Sequence, residues 1–459
     1  MNPLDPLFYP KSIALVGAAH TEIKLGGVVL RNLLKFRGQV YPVNPKYPEL
    51  MGLKAYPTVA AIPEPVDLAL VLRPAEEVLG ILREFRDRAR CVIVMSSGFA
   101  EIGETELQEE VKKTGKELGF RILGPNCMGI YNPHERLDTF FLPYERLERP
   151  KRGNVAVVSQ SGAILSCILS GLNASHAGVS KAVGYGNAVD IDEADLYEYL
   201  ADDRKTEVVV SYIESVGDGR KFIEKARLLS DEKPLIVLKS GKGSSGQSAA
   251  YSHTGRLAGR YEVFHSILRQ FGIREAVDFD EFADAAKALS YQKPSSGNRI
   301  LIITNGGGSG VLAADECMRQ GLDVTQLPSE KKERLIRVFP DFFGISNPLD
   351  LTAQVKDGDY LAALNELRDD YDGFLIIALP NVWGITYALS SLLRDFRRTL
   401  QKPLVCNIAP GGIAKRLSLL IDRAGIPTYP TPERAVRALK ALLGSRSLHA
   451  VQSSLPRLS

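Results

Sequence analysis

Residues 154–163 read NVAVVSQSGA, and this stretch decides the fold. A β-branched run, residues 155–158, leads directly into the loop Ser159-Gln160-Ser161-Gly162, and the apolar positions over 163–172 then predict a helix. A buried strand, a short loop of small polar residues and a helix, in this order, form the opening of a doubly wound α/β domain. Ligands of such domains bind at the carboxyl ends of the strands.

The same pattern occurs twice more along the chain. Residues 12–16 lead into Gly17-Ala18-Ala19, and residues 300–303 lead into a loop that reads TNGGGSG. Three openings in 459 residues agree with roughly 150 residues per domain. The sequence therefore predicts an α/β fold with three doubly wound, Rossmann- or flavodoxin-like parallel-sheet domains. The predicted bounds are 1–145, 150–292 and 297–445, and the polar, breaker-rich tail over 446–459 is predicted to be disordered.

Other short apolar runs predict the remaining strands of these sheets. They are buried-strand patterns that end in turn-forming residues, at 69–72, 92–95, 121–123, 208–213, 235–238, 373–379 and 404–408. Two stretches rich in charge, proline or small turn formers, 142–152 and 291–298, precede the second and third openings and are predicted to be linkers.

The composition restricts the class of protein. The 57 basic and 54 acidic residues nearly balance, so no nucleic-acid-binding surface is indicated. The five cysteines are scattered and form no C-x-x-C, which argues against a disulfide framework and against a metal site in this chain. No apolar run approaches the ~20 residues of a membrane span. We therefore expect a cytoplasmic protein with neither a nucleic-acid nor a membrane partner.

A single histidine, His253, lies in a long run of small residues, GKGSSGQSAAYSHTGRLAG, over 241–259. A lone histidine is commonly an ordinary surface or core residue, but an imidazole presented by such a loop is also a fair nucleophile toward phosphorus. A phosphorylated histidine needs hydrogen-bond donors for the phosphate and an acceptor for the other ring nitrogen. The helix start at Ser161, Gly162 and Ala163 supplies donors, and Glu214, at the end of a predicted strand, supplies an acceptor.

Each of these polar positions also has an ordinary structural interpretation. Ser161 is a good N-cap, and Glu214 is a solvated charge at a strand end if it has no ligand. Asn126, in the turn GPN, either donates to a carbonyl or phosphate oxygen or forms an Asx turn. Cys127 has no basic sequence neighbour and is predicted to be a small buried residue, not a nucleophile.

The first opening lacks the compact G-x-G-x-x-G spacing of a nicotinamide site, and the second strand ends in Asn44-Pro45-Lys46 where an acidic residue would hold a ribose hydroxyl. Lys46 is either a surface lysine in a turn or a partner for a phosphorylated ribose, such as that of coenzyme A. No G-x-x-x-x-G-K-[ST] loop occurs, so a nucleotide that takes part is expected on another chain.

Nine motifs in order resemble one family, from residue 4 to residue 443: SIALVGA, VNPK, SSGFAE, GPNCMGI, NVAVVSQSGA, GYGNAVDIDEADLYEYL, YIES, SHTGRLAG and ITNGGGSGVLAAD. The chain resembles the nucleoside-diphosphate-forming acyl-CoA synthetases, in particular the alpha subunits of ADP-forming acetyl-CoA synthetase (acetate–CoA ligase). The resemblance implies an enzyme that converts acyl-CoA, ADP and phosphate to free acid, CoA and ATP through an acyl phosphate and a phosphohistidine at His253. It also implies an ATP-grasp beta subunit that holds ADP or ATP with Mg, in a complex of two alpha and two beta chains, and a small carboxylic acid as the other substrate.

The resemblance also implies roles for individual residues. Glu214 would stabilise the phosphohistidine that Ser161 and Gly162 cradle, and Asn126 would lie beside the thioester. The loops implied to hold coenzyme A contain Gly17, Lys46, Arg73, Pro74, Ser97, Gly98 and Phe99.

One observation departs from the family's pattern. Arg256 and Arg260 stand where small or uncharged residues are expected, so the rim near His253 is more basic and is available to steer phosphate or to contact the partner subunit. Two alternatives stay open: a CoA- or acyl-CoA-sensing module without ligase activity, which the SHTG motif disfavours, and a succinyl-CoA ligase alpha chain, which the third domain disfavours.

Overall fold

The computed structural model describes residues 2–243, 245–246 and 259–443. Two compact units divide between Ala276 and Val277. The strands are β1 Ser12–Val16, β2 Gln39–Val43, β3 Glu49–Leu50, β4 Leu53–Lys54, β5 Val66–Val71, β6 Ala89–Val94, β7 Arg121–Leu123, β8 Gly129–Asn132, β9 Leu137–Asp138, β10 Arg152–Ser159, β11 Val179–Gly184, β12 Val208–Ile213, β13 Leu235–Lys239, β14 Arg274–Ala276, β15 Ile300–Thr304, β16 Leu349–Asp350, β17 Gly373–Ala378, β18 Leu404–Ile408 and β19 Thr428–Tyr429.

The helices are α1 Asp5–Phe8, α2 Leu25–Leu33, α3 Ala75–Glu84, α4 Thr105–Leu118, α5 Gly162–Ala174, α6 Glu193–Asp202, α7 Gly219–Glu232, α8 Tyr261–Gln270, α9 Phe279–Tyr291, α10 Gly307–Arg319, α11 Ser329–Val338, α12 Asp357–Leu367, α13 Ala388–Thr399, α14 Ala414–Arg423 and α15 Pro432–Leu442, with 3₁₀ turns at Val59–Ala61 and Ala100–Ile102. Local sequence explains several of their starts. Asp192 and Asp195 form a capping box at α6, and Thr431 caps α15 just before a proline. None of the helices in the described ranges is both long and apolar enough to span a membrane.

Three sheets built mainly of parallel strands confirm the predicted α/β, doubly wound fold class. Their strand orders are β2-β1-β5-β6-β7, β14-β13-β12-β10-β11-β8-β9 and β16-β15-β17-β18-β19. Apart from the hairpin β3-β4 and the pair β8-β9, each sheet has the flavodoxin-like order 2-1-3-4-5. In that order, the chain reverses its direction across the sheet between the first and third strands, and ligands bind at their carboxyl ends.

The strands are buried on both faces, as expected of parallel strands covered by helices. The last five residues of β10 and all of β12 are buried, and valine is the commonest residue at these positions. The predicted helix over 163–172 is observed as α5, which begins one residue earlier and ends two residues later.

One feature of the second sheet does not appear among the predictions. Strands β8 and β9 come from 129–138, within the predicted first domain, but β8 pairs antiparallel with β11 in the second sheet. The first two predicted domains therefore share a sheet edge inside one compact unit.

Helix α9 belongs to the second compact unit. Its Asp284 receives a bidentate ion pair from Arg434 of α15, at 2.6 and 2.8 Å, and its Lys287 pairs with Asp422 at 2.9 Å. The observed division thus falls between residues 276 and 277, whereas the predicted second domain runs to 292. The three-domain bounds stay a prediction, and the tail over 446–459 lies outside the described residues.

Candidate functional site

The first candidate site lies where β1 and β5 end side by side. Gly17 directly follows β1 and has a φ of +92°. A Cβ atom at this position would lie 2.4 Å from the carbonyl oxygen of Leu72, which directly follows β5. Only glycine permits so close an approach with this backbone conformation. The backbones at the ends of the two strands therefore lie close together next to Arg73, at the point where doubly wound sheets bind ligands.

Arg73 joins the loops after β5 and β6. The Ser96 hydroxyl donates to the carbonyl oxygen of Arg73. The Arg73 guanidinium binds both carboxylate oxygens of Glu77, one helical turn away, at 2.9 and 2.7 Å. Hydrogen bonding to Glu77 raises the pKa of Arg73, so the guanidinium is held charged and pre-oriented. A phosphate that binds here must share Arg73 with Glu77.

The start of α3 packs against the loop after β6. Pro74 is the residue before the helix, and Ala75 is its first residue. Gly98 has a φ of +108°, and a Cβ atom there would lie 3.0 Å from the Cβ of Ala75. Ser97 is exposed beside it. The structure thus brings together Gly17, Arg73, Pro74, Ser97 and Gly98 along the carboxyl ends of β1, β5 and β6.

Phe99 lies in this loop, but its ring does not face the candidate site. The side chain is 0% exposed and belongs to the hydrophobic core of the first sheet. Its backbone N–H donates to Oε1 of Glu101 at 3.1 Å, next to the N–H of Gly98 at 2.6 Å. Burial raises the pKa of Glu101, but these hydrogen bonds outweigh that effect and hold the pKa below its ordinary value. An ionised Glu101 therefore fixes the loop after β6 by accepting these two N–H groups.

Lys46 is exposed in the turn after β2. Its backbone N–H donates to Oδ1 of Asn44 at 2.8 Å, and Asn44 in turn donates to the carbonyl oxygen of Ala18 at 2.8 Å. The turn is thereby fixed beside the Gly17 loop, which leaves the ammonium group of Lys46 on the surface near the first candidate site.

Asn126 links the first site to the second sheet. It has a φ of +53°, and its backbone N–H donates to the carbonyl oxygen of Ser96 at 2.8 Å. Its side chain donates to Oδ1 of Asn187 at 3.3 Å, and Asn187 donates to Glu101 at 2.6 Å and to Gln108 at 2.9 Å. The turn is therefore held between the loop after β6 and the loop after β11.

Cys127 is buried, as predicted. Its Sγ lies 3.3 Å from the carbonyl oxygen of Val94. Burial raises the pKa of its thiol to about 12. At neutral pH it is a protonated thiol packed in the core, which does not suit a nucleophile.

The second candidate site begins at the amino end of α5. Ser161 is the N-cap, and its hydroxyl accepts the N–H of Ile164 at 3.4 Å. Gly162 and Ala163 are the first two helical residues, and Ala163 is exposed. The first N–H groups of a helix have no partner within the helix and, with the helix dipole, favour an anion. Capping and a phosphate site are therefore compatible here.

Glu214 lies at the end of β12, the strand next to β10. Oε1 of Gln160 accepts the backbone N–H groups of Glu214 and Ser215 at 2.9 and 3.0 Å, and Nε2 of Gln160 donates to Oγ of Ser215 at 3.1 Å. Glu214 is 7% exposed, and the Tyr212 hydroxyl is hydrogen-bonded to its side chain. The backbone of Glu214 and the loop before α5 are thus joined by hydrogen bonds at the reversal point of the second sheet.

Lys239, the last residue of β13, supports the same strand end. Its ammonium group is 3% exposed and donates to the carbonyl oxygen of Glu214 at 2.7 Å and to that of Ser240. Burial lowers the pKa of Lys239 to about 8, against the opposing influence of the carboxylates of Glu214 and Glu275. A titratable cation is thus hydrogen-bonded to the backbone of Glu214.

His253 and Arg256 lie outside the described residues. Arg260, the other arginine of the predicted basic rim, is exposed directly before α8. The described chain stops at Gly246 and resumes at Gly259, between β13 and α8 in sequence.

Three supporting residues were not predicted: Gln160, Lys239 and Glu101. A signal was available for two of them, because Gln160 directly follows a buried strand and Lys239 ends the otherwise apolar run LIVLK. The contact of Glu101 with Asn187 had no such signal, because Asn187 is 86 residues away.

Three family models match successive parts of the chain. A CoA binding domain matches residues 11–133, a succinyl-CoA ligase like flavodoxin domain matches 152–289, and a Ligase-CoA domain matches 300–446. The chain is 37% identical to the acetate–CoA ligase (ADP-forming) II subunit alpha of Pyrococcus furiosus, across 96% of this chain and 97% of that subunit. The chain belongs to the ADP-forming acetate–CoA ligase family.

Other members of the ADP-forming acetate–CoA ligase family are similar over the same range. An acetate–CoA ligase (ADP-forming) of Methanocaldococcus jannaschii is 37% identical across 96% of this chain, which spans only 63% of that longer protein. The solved structure of dinucleotide forming acetyl-coenzyme A synthetase 1 of Ca. Korarchaeum cryptofilum, in complex with phosphate and ADP, is 34% identical with a TM-score of 0.93 and covers 100% of both chains.

Membership in the acetate–CoA ligase family confirms the resemblance that the motifs indicated. The chain therefore belongs to a family of enzymes, and its relative of the same length is an alpha subunit. The name alpha implies a partner subunit. Residues 11–133 are a CoA-binding domain. The two alternatives, a sensing module and a succinyl-CoA ligase alpha chain, are not favoured by similarities that extend across all three sheets.

Proposed function

We propose that this chain is the catalytic alpha subunit of an ADP-forming acyl-CoA synthetase. It converts acyl-CoA, ADP and phosphate reversibly to a free carboxylic acid, CoA and ATP. The intermediates are an acyl phosphate and a phosphohistidine at His253, and acetate is the acid that its relatives' names suggest.

One observation carries the proposal: the Ser161-capped start of α5 and Glu214 lie at neighbouring strand ends, and Gln160 joins them through the backbone N–H of Glu214. The helix start supplies N–H donors to a phosphoryl group. Glu214 supplies an acceptor for the imidazole nitrogen that does not carry phosphorus. This is the pair of partners that a phosphohistidine requires, one anion site and one orienting carboxylate.

The first step takes place at the coenzyme A loops. A phosphate oxygen attacks the thioester carbonyl carbon, a C–O bond forms, the C–S bond breaks, and CoA leaves as a thiolate that takes up a proton. Arg73 and Lys46 are the cations for the coenzyme A phosphates. At Gly17, Pro74, Ser97 and Gly98, the backbone of the protein can approach coenzyme A closely. Phe99 contributes through its N–H and its packing.

Asn126 is the donor that we assign to the thioester or acyl phosphate oxygen, because its turn joins the coenzyme A loops to the second sheet. In the next step a ring nitrogen of His253 attacks phosphorus, the N–P bond forms, and the bond to the acyl oxygen breaks to release the carboxylate. The phosphoryl group on His253, held at Ser161, Gly162 and Ala163, is then ready for transfer to ADP.

The last step passes the phosphoryl group from His253 to an oxygen of the β-phosphate of ADP. We propose that ADP or ATP, with Mg, is held by an ATP-grasp beta subunit, in a cytoplasmic complex of two alpha and two beta chains. Arg256 and Arg260 would steer phosphate or contact this subunit.

The test is a labelling experiment on the full chain. Acyl-CoA with ³²P-phosphate is expected to place an acid-labile, base-stable label on the protein, and the label is expected to be absent from His253→Asn. The matched control is His176→Asn, because His176 is exposed and its φ of +57° suits asparagine.

Two outcomes decide the proposal. Label that persists in His253→Asn contradicts the assignment of the phosphohistidine. Label that forms as expected but yields no ATP when ADP and a co-expressed ATP-grasp subunit are added contradicts the assigned partner. A panel of acyl-CoAs in the same assay identifies the acid.

A further inference from the structure

Glu275, on the edge strand β14, binds side chains from both sides of the sequence that contains His253. Its Oε1 accepts the Lys242 ammonium at 3.0 Å and the Tyr261 hydroxyl at 2.9 Å. Its Oε2 lies 2.6 Å from Nδ1 of His265. The Glu275 side chain is only 8% exposed, so one buried carboxylate collects all three groups.

Glu275 stays ionised in this position. Burial raises its pKa, but hydrogen bonds from His265, Lys242 and Tyr261 outweigh burial and hold the pKa below its ordinary value. Burial and the hydrogen bond to Glu275 raise the pKa of Tyr261 to about 12, so Tyr261 remains a donor. A carboxylate with three donors is a strong junction, because charge-assisted hydrogen bonds are roughly twice as strong as neutral ones.

Two of these donors lie on opposite sides of His253 in the sequence. Lys242 comes 11 residues before His253, and Tyr261 comes 8 residues after it. Both bind the same oxygen atom of Glu275. Strand β14 pairs with β13, with Glu275 opposite Val237, so the carboxylate is carried by the sheet itself. One side chain thus binds a residue on each side of His253 in the sequence.

We propose that Glu275 is a positioning residue for phosphoryl transfer: it sets the anchor points of the chain on either side of His253. This inference rests on the proposed function. In this role Glu275 contacts neither phosphate nor acyl group, and it acts only through Lys242 and Tyr261. Misplacement by ~1 Å can cost ~100-fold in rate, so loss of one anchor is expected to slow phosphorylation of the histidine without affecting coenzyme A chemistry.

The test compares two half-reactions of the full chain in Glu275→Gln. Phosphate-dependent release of CoA from acetyl-CoA, followed with a thiol reagent, reports the first step. The rate of acid-labile labelling from acetyl [³²P]phosphate reports the histidine step. We expect labelling to fall at least ~10-fold while CoA release stays within ~2-fold of wild type.

The matched control is Asp203→Asn. Asp203 is also a buried carboxylate that accepts two side chains, Lys181 at 2.5 Å and Thr206 at 2.6 Å, but it follows α6. This variant is expected to lower thermal stability and to leave the ratio of the two half-reactions unchanged. Tyr261→Phe removes one hydroxyl and keeps the ring, so it tests one anchor alone if Glu275→Gln does not fold, with an expected loss of labelling of ~3-fold or more.

The outcomes separate this inference from the proposed function. Wild-type protein that takes no label contradicts the phosphohistidine itself. Wild-type protein that is labelled, with Glu275→Gln or Tyr261→Phe labelled at the same rate, overturns the role of Glu275. Equal loss of both half-reactions in Glu275→Gln also overturns it, because a purely structural residue would have that effect.

Discussion

The side-chain oxygen of Gln160 accepts the backbone N–H of Glu214 at 2.9 Å. Through this bond, the loop that starts α5 and the end of β12 keep a fixed separation, although the two residues are 54 positions apart in sequence. The same oxygen also accepts the N–H of Ser215 at 3.0 Å. A glutamine that is buried at this point therefore holds both halves of the proposed phosphate site.

Gln160→Ala is expected to lower the free energy of unfolding by about 2 kcal/mol or more, because it leaves two buried N–H groups without an acceptor. Hydrogen exchange in peptides from β10 and β12 should accelerate, and labelling of the histidine should slow. Gln292→Ala is the control, because Gln292 is also buried and binds the backbone of Leu404 in the second compact unit. It should accelerate exchange near β18 and leave labelling unchanged; identical effects of the two variants on labelling would contradict the assigned role.

Lys239 should make stability depend on pH between about 8 and its ordinary pKa of 10.5. Its pKa is lower in the folded protein, so within this window the unfolded state binds more protons and stability rises with pH, by at most ~1.4 kcal/mol per pH unit. Urea unfolding at pH 7, 8.5 and 10 should show this rise in the wild type and a smaller one in Lys239→Met. The exposed Lys205→Met should behave as the wild type. A Lys239→Met curve parallel to the wild type would refute the prediction.

Glu101→Gln should weaken coenzyme A binding about tenfold, since hydrogen bonds to charged groups contribute ~1.5–3 kcal/mol. The carboxylate receives the N–H groups of Gly98 and Phe99 and the side chain of Asn187, and the amide cannot accept all three. Calorimetric titration with CoA measures the change. Glu106→Gln, at an exposed position of α4, should bind CoA normally. Unchanged affinity in Glu101→Gln would mean that this loop does not hold coenzyme A.

Gly17→Ala should destabilise the protein more than Gly52→Ala. Both glycines have positive φ, +92° and +82°, so each substitution costs about 1–2 kcal/mol of backbone strain. A Cβ atom at Gly17 also meets the carbonyl oxygen of Leu72 at 2.4 Å, whereas nothing lies within 4 Å of one at Gly52. The melting temperature should fall further in Gly17→Ala than in Gly52→Ala, and CoA binding should be impaired in Gly17→Ala alone. Equal melting temperatures would argue against the close approach of β1 and β5.

The sequence by itself determined the strands and the fold class. The predicted runs 12–16, 121–123, 208–213 and 404–408 coincide with β1, β7, β12 and β18, and the other predicted strands differ from the observed ones by one to three residues at an end. Buried parallel strands are continuous apolar runs between turn formers, so the signal is local. The same local signal placed Ser161 and Gly162 at the start of a helix.

Only the tertiary structure decided which elements and side chains meet. The sequence around Gly129–Asn132 does not reveal that this strand pairs with β11, because a strand's partner lies elsewhere in the chain. Phe99 follows a strand as a ligand-binding residue would, but its ring packs in the core. Glu275 has no motif of its own, and its importance arises from Lys242 and Tyr261, which approach from both sides of His253. Local patterns specify elements because each residue's backbone preference acts on its neighbours, whereas contacts such as these depend on how distant segments fold together.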